Sequence, residues 1–306
     1  MLTEAARGVF TIAVTPFLPD GALDLDSIDR MTDFYVEKGA TGLTILGMMG
    51  EAGKLTHEES LAVVARVTAR TDLPVVVGVS APGFAAMQAL AGAAMDTGAA
   101  GVMIAPHGSL KTDDQIVGYY ATAADMLGPI PFVLQDFPLA TGVTIAPSLI
   151  LRIVRACPGC VMLKHEDWPG LEKITALRKA EAEGARRISI LCGNGGQFLP
   201  EEMGRGADGA MTGFAYPEMM ARVVDLHAAG AQERMHDVFD AYLPLVRYEM
   251  QPGPGLAARK HILARRGAIA HPTLRRPGPV LSPAAVAEVE TLMARQAARL
   301  EALGEA

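Results

Sequence analysis

Three cysteines in a chain of 306 residues, Cys157, Cys160 and Cys192, are too few and too odd in number for a disulfide framework. Two of them form Cys157-Pro158-Gly159-Cys160, a spacing open to a redox reading. It falls where an apolar helix pattern ends and a strand pattern begins, so it reads instead as a turn flanked by small apolar thiols. Basic charge is also short: 27 Lys and Arg stand against 34 Asp and Glu, a formal net charge of −7. That balance argues against nucleic acid or an anionic membrane surface as partner. No apolar run approaches the ~20 residues that span a bilayer, and no basic start precedes an apolar leader, so a cytoplasmic chain is expected. The sequence lacks a His and Cys cluster with metal-ligand spacing, a Walker loop, a G-x-S-x-G elbow, and a G-x-G-x-x-G after its first strand pattern. A small solute is the expected partner.

What the chain has is a repeated beat. Runs rich in Val, Ile, Leu and Met recur at 9–15, 42–47, 74–79, 101–106, 131–135, 160–164, 188–193 and 209–213. Continuous apolar runs suit parallel strands covered on both faces. The stretches between them, among them 25–40, 57–71 and 147–157, show helical patterning, with acids near the start and Arg or Lys toward the end. Eight such pairs predict an α/β fold, a closed (β/α)8 TIM barrel, ahead of an open doubly wound sheet. Beyond residue 214 the pattern is only helical, near 217–228, 231–250, 255–267 and 283–302. The last three exceed what an eighth helix needs. We therefore expect a barrel with the active site over 1–225 and a C-terminal helical extension over 226–306 that serves packing and assembly. The sixteen methionines suit adaptable apolar packing, and the Arg265-Arg266 and Arg275-Arg276 pairs suit helix ends and subunit contacts.

Residues 161–170 end a strand pattern on an amine, and reactive groups of such barrels sit at the C-terminal ends of strands. Lys164 is at such an end. Alternation puts Met162 and Cys160 on its face, so the amine is expected in the barrel mouth above apolar neighbours. Desolvation disfavours the ammonium and leaves a nucleophile suited to forming an imine with a ketone. A lysine that snorkels to solvent fits the same pattern. His165 should face the opposite side of the strand and be structural, while Glu166 can return toward the mouth.

In order, the segments GVFTIAVTPF (8–17), GATGLTILGMMGEAGKLTHEE (39–59), PVVVGVS (74–80), GVMIAP (101–106), LKHEDWPG (163–170) and GADGAMTG (206–213) resemble the dihydrodipicolinate synthase and N-acetylneuraminate lyase family of class I aldolases. The likeness covers about residues 8–270. It implies a (β/α)8 barrel, a homotetramer or dimer, and a small-molecule 2-oxo acid held as a Schiff base on the strand-six lysine, by position Lys164. It implies no metal and no organic cofactor, since the imine is itself the electron sink.

The departures shape the expected chemistry. The family's strand-two loop is of Gly-Thr-Thr-Gly-Glu type, whereas this chain has Gly47-Met48-Met49-Gly50-Glu51, which keeps backbone N–H groups for a carboxylate and loses both hydroxyls. The family's Tyr-Asn-x-Pro after strand five is replaced by Gln135-Asp136-Phe137-Pro138, and an amide cannot shuttle protons as a phenol does. Ala140 stands where dihydrodipicolinate synthases place an arginine, and the strand-four loop APHGSLK lacks their paired tyrosines. Retro-aldol cleavage needs a base on the C4 hydroxyl, and that relay is gone. Elimination of water needs a base at C3 and an acid for the departing hydroxyl. The Gln135-Asp136-x-Pro138 replacement and the segment from LPLVRYE to GLAARKHIL (243–263) resemble the subgroup represented by L-2-keto-3-deoxyarabonate dehydratase, which yields 2-oxoglutarate semialdehyde, although that subgroup's strand-two loop does not read Met-Met-Gly-Glu. An aldolase on a related 2-oxo acid, or a silent barrel that binds such acids, stands behind it.

On this resemblance the catalytic set is Lys164, Gln135, Asp136 and Glu51, and the substrate-binding set is Met48, Met49, Gly50, Gly193, Asn194, Thr212 and Gly213. Gln135 either hydrogen-bonds substrate or is a satisfied buried amide. Asp136 either holds Gln135 or a water, or caps loop amides. Glu51 is either an acid or the organiser of its loop, and the loop residues either line the site or make turns.

Overall fold

The eight apolar runs become eight parallel strands: β1 (Gly8–Ile12), β2 (Gly42–Ile45), β3 (Val75–Gly78), β4 (Gly101–Ile104), β5 (Phe132–Asp136), β6 (Cys160–His165), β7 (Ser189–Cys192) and β8 (Gly209–Ala210). In this computed structural model they pair in chain order and β8 closes on β1, giving a barrel. The structure describes residues 1–168 and 170–305; Pro169 of the LKHEDWPG segment and Ala306 lie outside the described residues. β8 is shorter than its apolar run, but Met211 N–H still donates to Cys192 and Ile12 N–H to Thr212, so the backbone pairing continues toward the mouth.

Between strands run α1 (Leu25–Glu37), α2 (His57–Arg70), α3 (Phe84–Asp96), α4 (Asp113–Leu127), the single turn α5 (Pro138–Thr141), α6 (Pro147–Ala156), α7 (Leu171–Ala182) and α8 (Leu199–Gly204). Their starts follow local chemistry. Thr56 and Thr112 cap α2 and α4 in reciprocal capping boxes with Glu59 and Gln115, and Asp24 accepts from Ser27 N–H at the start of α1. After β8 come α9 (Pro217–Ala228), α10 (Gln232–Glu249), α11 (Gly255–Arg265) and α12 (Pro283–Leu303). No helix among the described residues is long and apolar enough to cross a membrane.

Apolar packing forms two layers. Inside the barrel Phe10, Ile12, Val76, Met103, Val133, Met162, Leu191 and Met211 fill the lumen, as a packed core and not a pore. Outside it, the other strand faces meet the helices in a second cluster that continues through Phe239 and Leu245 of α10, Ile262 of α11 and Val289 of α12.

The strand that carries Lys164 departs from simple alternation. Pairing steps from Phe132↔Cys160 to Val133↔Met162, so β6 advances two residues while β5 advances one, and Val161 is the extra residue of a β-bulge. Met162 therefore lies in the lumen beneath Lys164 as expected, but Cys160 does not share that face: it packs outward among the helices. All three cysteines are free and buried, and burial pushes the Cys157 thiol up to about 11 and Cys160 to about 12, which suits inert apolar packing.

Candidate active site

At the C-terminal mouth the strand register sets Gln135 of β5 beside Lys164 of β6. Lys164 is 5% exposed, Glu166 6% and Gln135 4%. The lysine Nζ lies 2.7 Å from Glu166 Oε2, and Gln135 Nε2 donates to the same oxygen at 2.8 Å. The amine does not rest on apolar neighbours alone, as the sequence suggested; it is charge-compensated by a carboxylate two residues on. Alternation explains the pair, because residues 164 and 166 leave the strand on the same side. Glu166 turns back under the loop after β7: a Cβ on Gly193 would fall 2.2 Å from Glu166 Cγ, so only glycine leaves room for the carboxylate arm there.

A cavity of about 70 Å³ opens in front of Lys164, lined by Gln135, Glu166, Met48, Met49, Asn194, Thr212 and Gly213. Asn194 sits at φ +51°, and its Nδ2 donates to the Glu166 carbonyl at 3.1 Å, while Thr212 Oγ1 accepts from Gly195 N–H at 2.8 Å. Both shape the loop and face the cavity. Phe137, Met250 and Arg259 line it too, and none of them was expected from the sequence. Arg259 is 1% exposed; its Nε donates to Glu249 Oε2 at 2.7 Å, and Glu249 Oε1 accepts from Ala215 N–H at 3.2 Å. Burial pushes the Glu249 carboxyl above its ordinary range, with Arg259 opposing. Arg259 Nη1 has no acceptor among the described residues.

Four expected site residues do not face this cavity. Asp136 follows Gln135 directly, so alternation sends it to the outside of the barrel, where it accepts from Lys173 of α7 at 2.6 Å and is fully buried. Glu51 takes a left-handed φ of +53° and turns away from the mouth; it pairs with Lys260 at 2.6 Å and Lys54 at 2.8 Å, and accepts from Arg275 N–H. It is the organiser of its loop, not an acid in the mouth. Burial pushes Lys260 down to about 8, against the pull of Glu51. Gly50 gives its carbonyl to Thr15 Oγ1 at 2.5 Å, and Gly193 makes room for the Glu166 arm while its N–H donates to the His165 carbonyl at 2.8 Å.

Behind the strand, His165 faces the helix layer, with Nε2 2.9 Å from the Gly170 carbonyl and Nδ1 3.7 Å from Asp136. Beyond it lies Glu202 of α8, whose carboxyl burial pushes up to about 7, with His165 opposing in part. The unfolded chain ionises Glu202 near 4.5 and the folded protein near 7, so stability present below pH 4.5 is lost as pH rises through that window. The loss is roughly 3 kcal/mol at most. Glu202→Gln should be more stable than the parent in urea at pH 8, with the difference vanishing toward pH 4.5. A difference independent of pH would show that the buried carboxyl does not titrate this way.

Among the described residues no group of three or more His, Cys, Asp or Glu is arranged to hold a metal ion. The site instead offers a buried amine, a carboxylate in contact with it, an amide that orients the carboxylate, and a small cavity beside them. Such a set can form an imine and move a proton next to it.

The chain is similar to known proteins over nearly its whole length. The sequence profile of the Dihydrodipicolinate synthetase family matches residues 5–296. L-2-keto-3-deoxyarabonate dehydratase of Azospirillum brasilense is 28% identical over 308 residues, 96% of this chain and 95% of that one. 4-hydroxy-tetrahydrodipicolinate synthase 1 of Streptomyces coelicolor is 32% identical over 286 residues, 91% of this chain and 88% of that one. The crystal structure of dihydrodipicolinate synthase from Rhodopseudomonas palustris superposes with a TM-score of 0.95 at 54% identity, covering 96% of this chain and 99% of that one.

Proposed function

Because the chain belongs to the dihydrodipicolinate synthetase family of lyases, we propose that it acts through a Schiff base on Lys164 and removes water from a 2-keto-3-deoxy sugar acid such as L-2-keto-3-deoxyarabonate. The observation that carries this reading is the buried contact of Lys164 with Glu166, with Gln135 holding the same carboxylate oxygen.

Glu166 takes a proton from the Lys164 ammonium, and the free amine adds to the C2 carbonyl. The Glu166 carboxyl returns that proton to the carbinolamine hydroxyl, whose loss as water leaves a protonated imine that draws electrons from C3 and acidifies its protons. Glu166 removes a C3 proton, and the electron pair of the resulting enamine expels the C4 hydroxyl. The same carboxyl returns its proton to that hydroxyl, which departs as water. Hydrolysis of the unsaturated imine frees Lys164 and the dehydrated 2-oxo acid. No metal or organic cofactor enters, because the imine is the electron sink. A homodimer or homotetramer in the cytoplasm is part of the same proposal.

The relative that is a 2-keto-3-deoxyarabonate dehydratase supports this substrate class. A second reading, carbon-carbon chemistry of the dihydrodipicolinate synthase kind, is favoured by the 54% identity to the Rhodopseudomonas structure. Against it stands the absence of a hydroxyl at Met48, Met49 and Gln135. A barrel that only binds 2-oxo acids would gain little from a lysine and a glutamate buried together, a costly arrangement without a use.

Borohydride trapping read by intact-protein mass separates these readings, with pyruvate and L-2-keto-3-deoxyarabonate as substrates and Lys164→Ala as control. The expected product is a Lys164-dependent adduct of the sugar acid that has lost water. A pyruvate-sized adduct from the sugar acid would mean cleavage, and no adduct from either compound would sink the imine.

A further inference from the structure

We propose that Arg259 is the carboxylate-binding residue of this site, holding the C1 carboxylate of the 2-oxo acid while Lys164 bonds C2; this rests on the Schiff-base reading above. The strand-two loop has no hydroxyl to offer that anion, since Met48 and Met49 occupy the positions that face the cavity. The loop's backbone N–H groups carry no countercharge, and burying an uncompensated carboxylate is strongly unfavourable, so a cation elsewhere on the wall is needed. Lys164 cannot be that donor, because it is consumed in the imine and already paired with Glu166.

Arg259 is the remaining cation on the cavity wall. It reaches the wall from α11, and its other side is anchored: Nε is held by Glu249, itself fixed by Ala215 N–H. Nη1 is buried with no acceptor among the described residues, although a guanidinium nitrogen shielded from water normally has one. The approach is kept open by Gly213, where a Cβ would stand 2.5 Å from Nη1 and 3.2 Å from Cζ. An unused, charge-assisted donor on a residue that lines the same cavity as the imine-forming amine suits the α-carboxylate of a 2-oxo acid. Arg259 also differs from the loop amides in what it selects, because a fixed positive charge discriminates an acid from its neutral amide.

The test compares the parent with Arg259→Met/Glu249→Gln, a pair that leaves no unpaired carboxylate in the core, and with Gly213→Ala, which pushes the guanidinium off its position. Two readouts are taken. In borohydride trapping, half-saturation by pyruvate is expected to rise at least tenfold in both variants, while the neutral analogue pyruvamide is trapped as before. In ligand-observed NMR, lactate, which has the same carboxylate and cannot form an imine, should bind the parent and bind the double variant at least tenfold more weakly. Equal lactate binding by parent and variant, or none by the parent, overturns the assignment. Lactate binding lost with Arg259 but no trapped pyruvate in the parent would keep the carboxylate site and remove the Schiff-base reading. Arg259→Lys, which keeps the charge and not the fork, should restore part of the preference for pyruvate over pyruvamide; no preference regained would mark the effect of Arg259 as packing.

Discussion

Glu166→Gln slows exchange of the pyruvate methyl protons for solvent deuterium by about 10²–10⁴-fold, the usual worth of a positioned general base, yet reaches the Lys164 adduct with pyruvate on long incubation, because water takes the ammonium proton more slowly in place of Glu166. Exchange at C3 reports proton removal from the imine and does not depend on which sugar acid is the substrate. The amide keeps the shape and the contacts to Gln135 and Lys164 but cannot carry the proton. Glu166 is suited to the task by geometry: its Oε2 touches the amine at 2.7 Å and is held from the other side by Gln135. NMR in deuterium oxide gives the rate, and borohydride trapping under the same conditions gives adduct occupancy. Full exchange in Glu166→Gln would move the base to another group. Loss of the adduct even at long times, together with exchange, would instead mean that water cannot replace Glu166 in freeing the amine, and exchange would then say nothing about the base at C3.

The barrel was legible because its signal is local: eight continuous apolar runs at near-regular spacing leave few alternatives to closed parallel pairing. Lys164 was legible for the same reason, as a polar stop at the end of a run. Beyond that the site depends on register and on distant helices. The contact of Gln135 with Glu166 requires knowing that residue 135 pairs with 164, and a bulge at Val161 decides which residues of β6 face the lumen. Asp136 was misplaced although the rule that places it was available. Gln135 and Asp136 are neighbours in one strand and cannot both face the mouth. Which of its two expected roles Glu51 takes is decided by a left-handed turn that patterning does not reveal. Arg259 lies in the 255–263 segment that carries part of the subgroup resemblance, but nothing in its pattern points it at the mouth. It lies in a helix of mixed composition, Gly255–Arg265, and reaches the cavity only through the way α11 packs against the mouth.

Lys173→Met destabilises the protein by about 3–5 kcal/mol, as expected when one partner of a buried ion pair is removed, and leaves pyruvate exchange per folded molecule unchanged. Asp136 is fully buried, and its Oδ2 is held at 2.6 Å by Lys173, which is also bound to the Ile145 carbonyl and to Asp167. With the amine gone, Asp136 keeps only His165 at 3.7 Å, and its Oδ1 is already without a partner. Asp167 is less affected, since it is closer to solvent. Removing both charges, in Asp136→Asn/Lys173→Met, should recover much of the loss, because the cost comes from the orphaned carboxylate and not from the missing attraction. Urea unfolding measures the stabilities, and the exchange assay measures function on the folded fraction. Lys173 thus ties α7 to the end of β5 on the outside of the barrel while Gln135, one residue earlier, faces the cavity inside. A fall in exchange that persists in the double variant, with stability regained, would put Asp136 back among the groups that act on substrate.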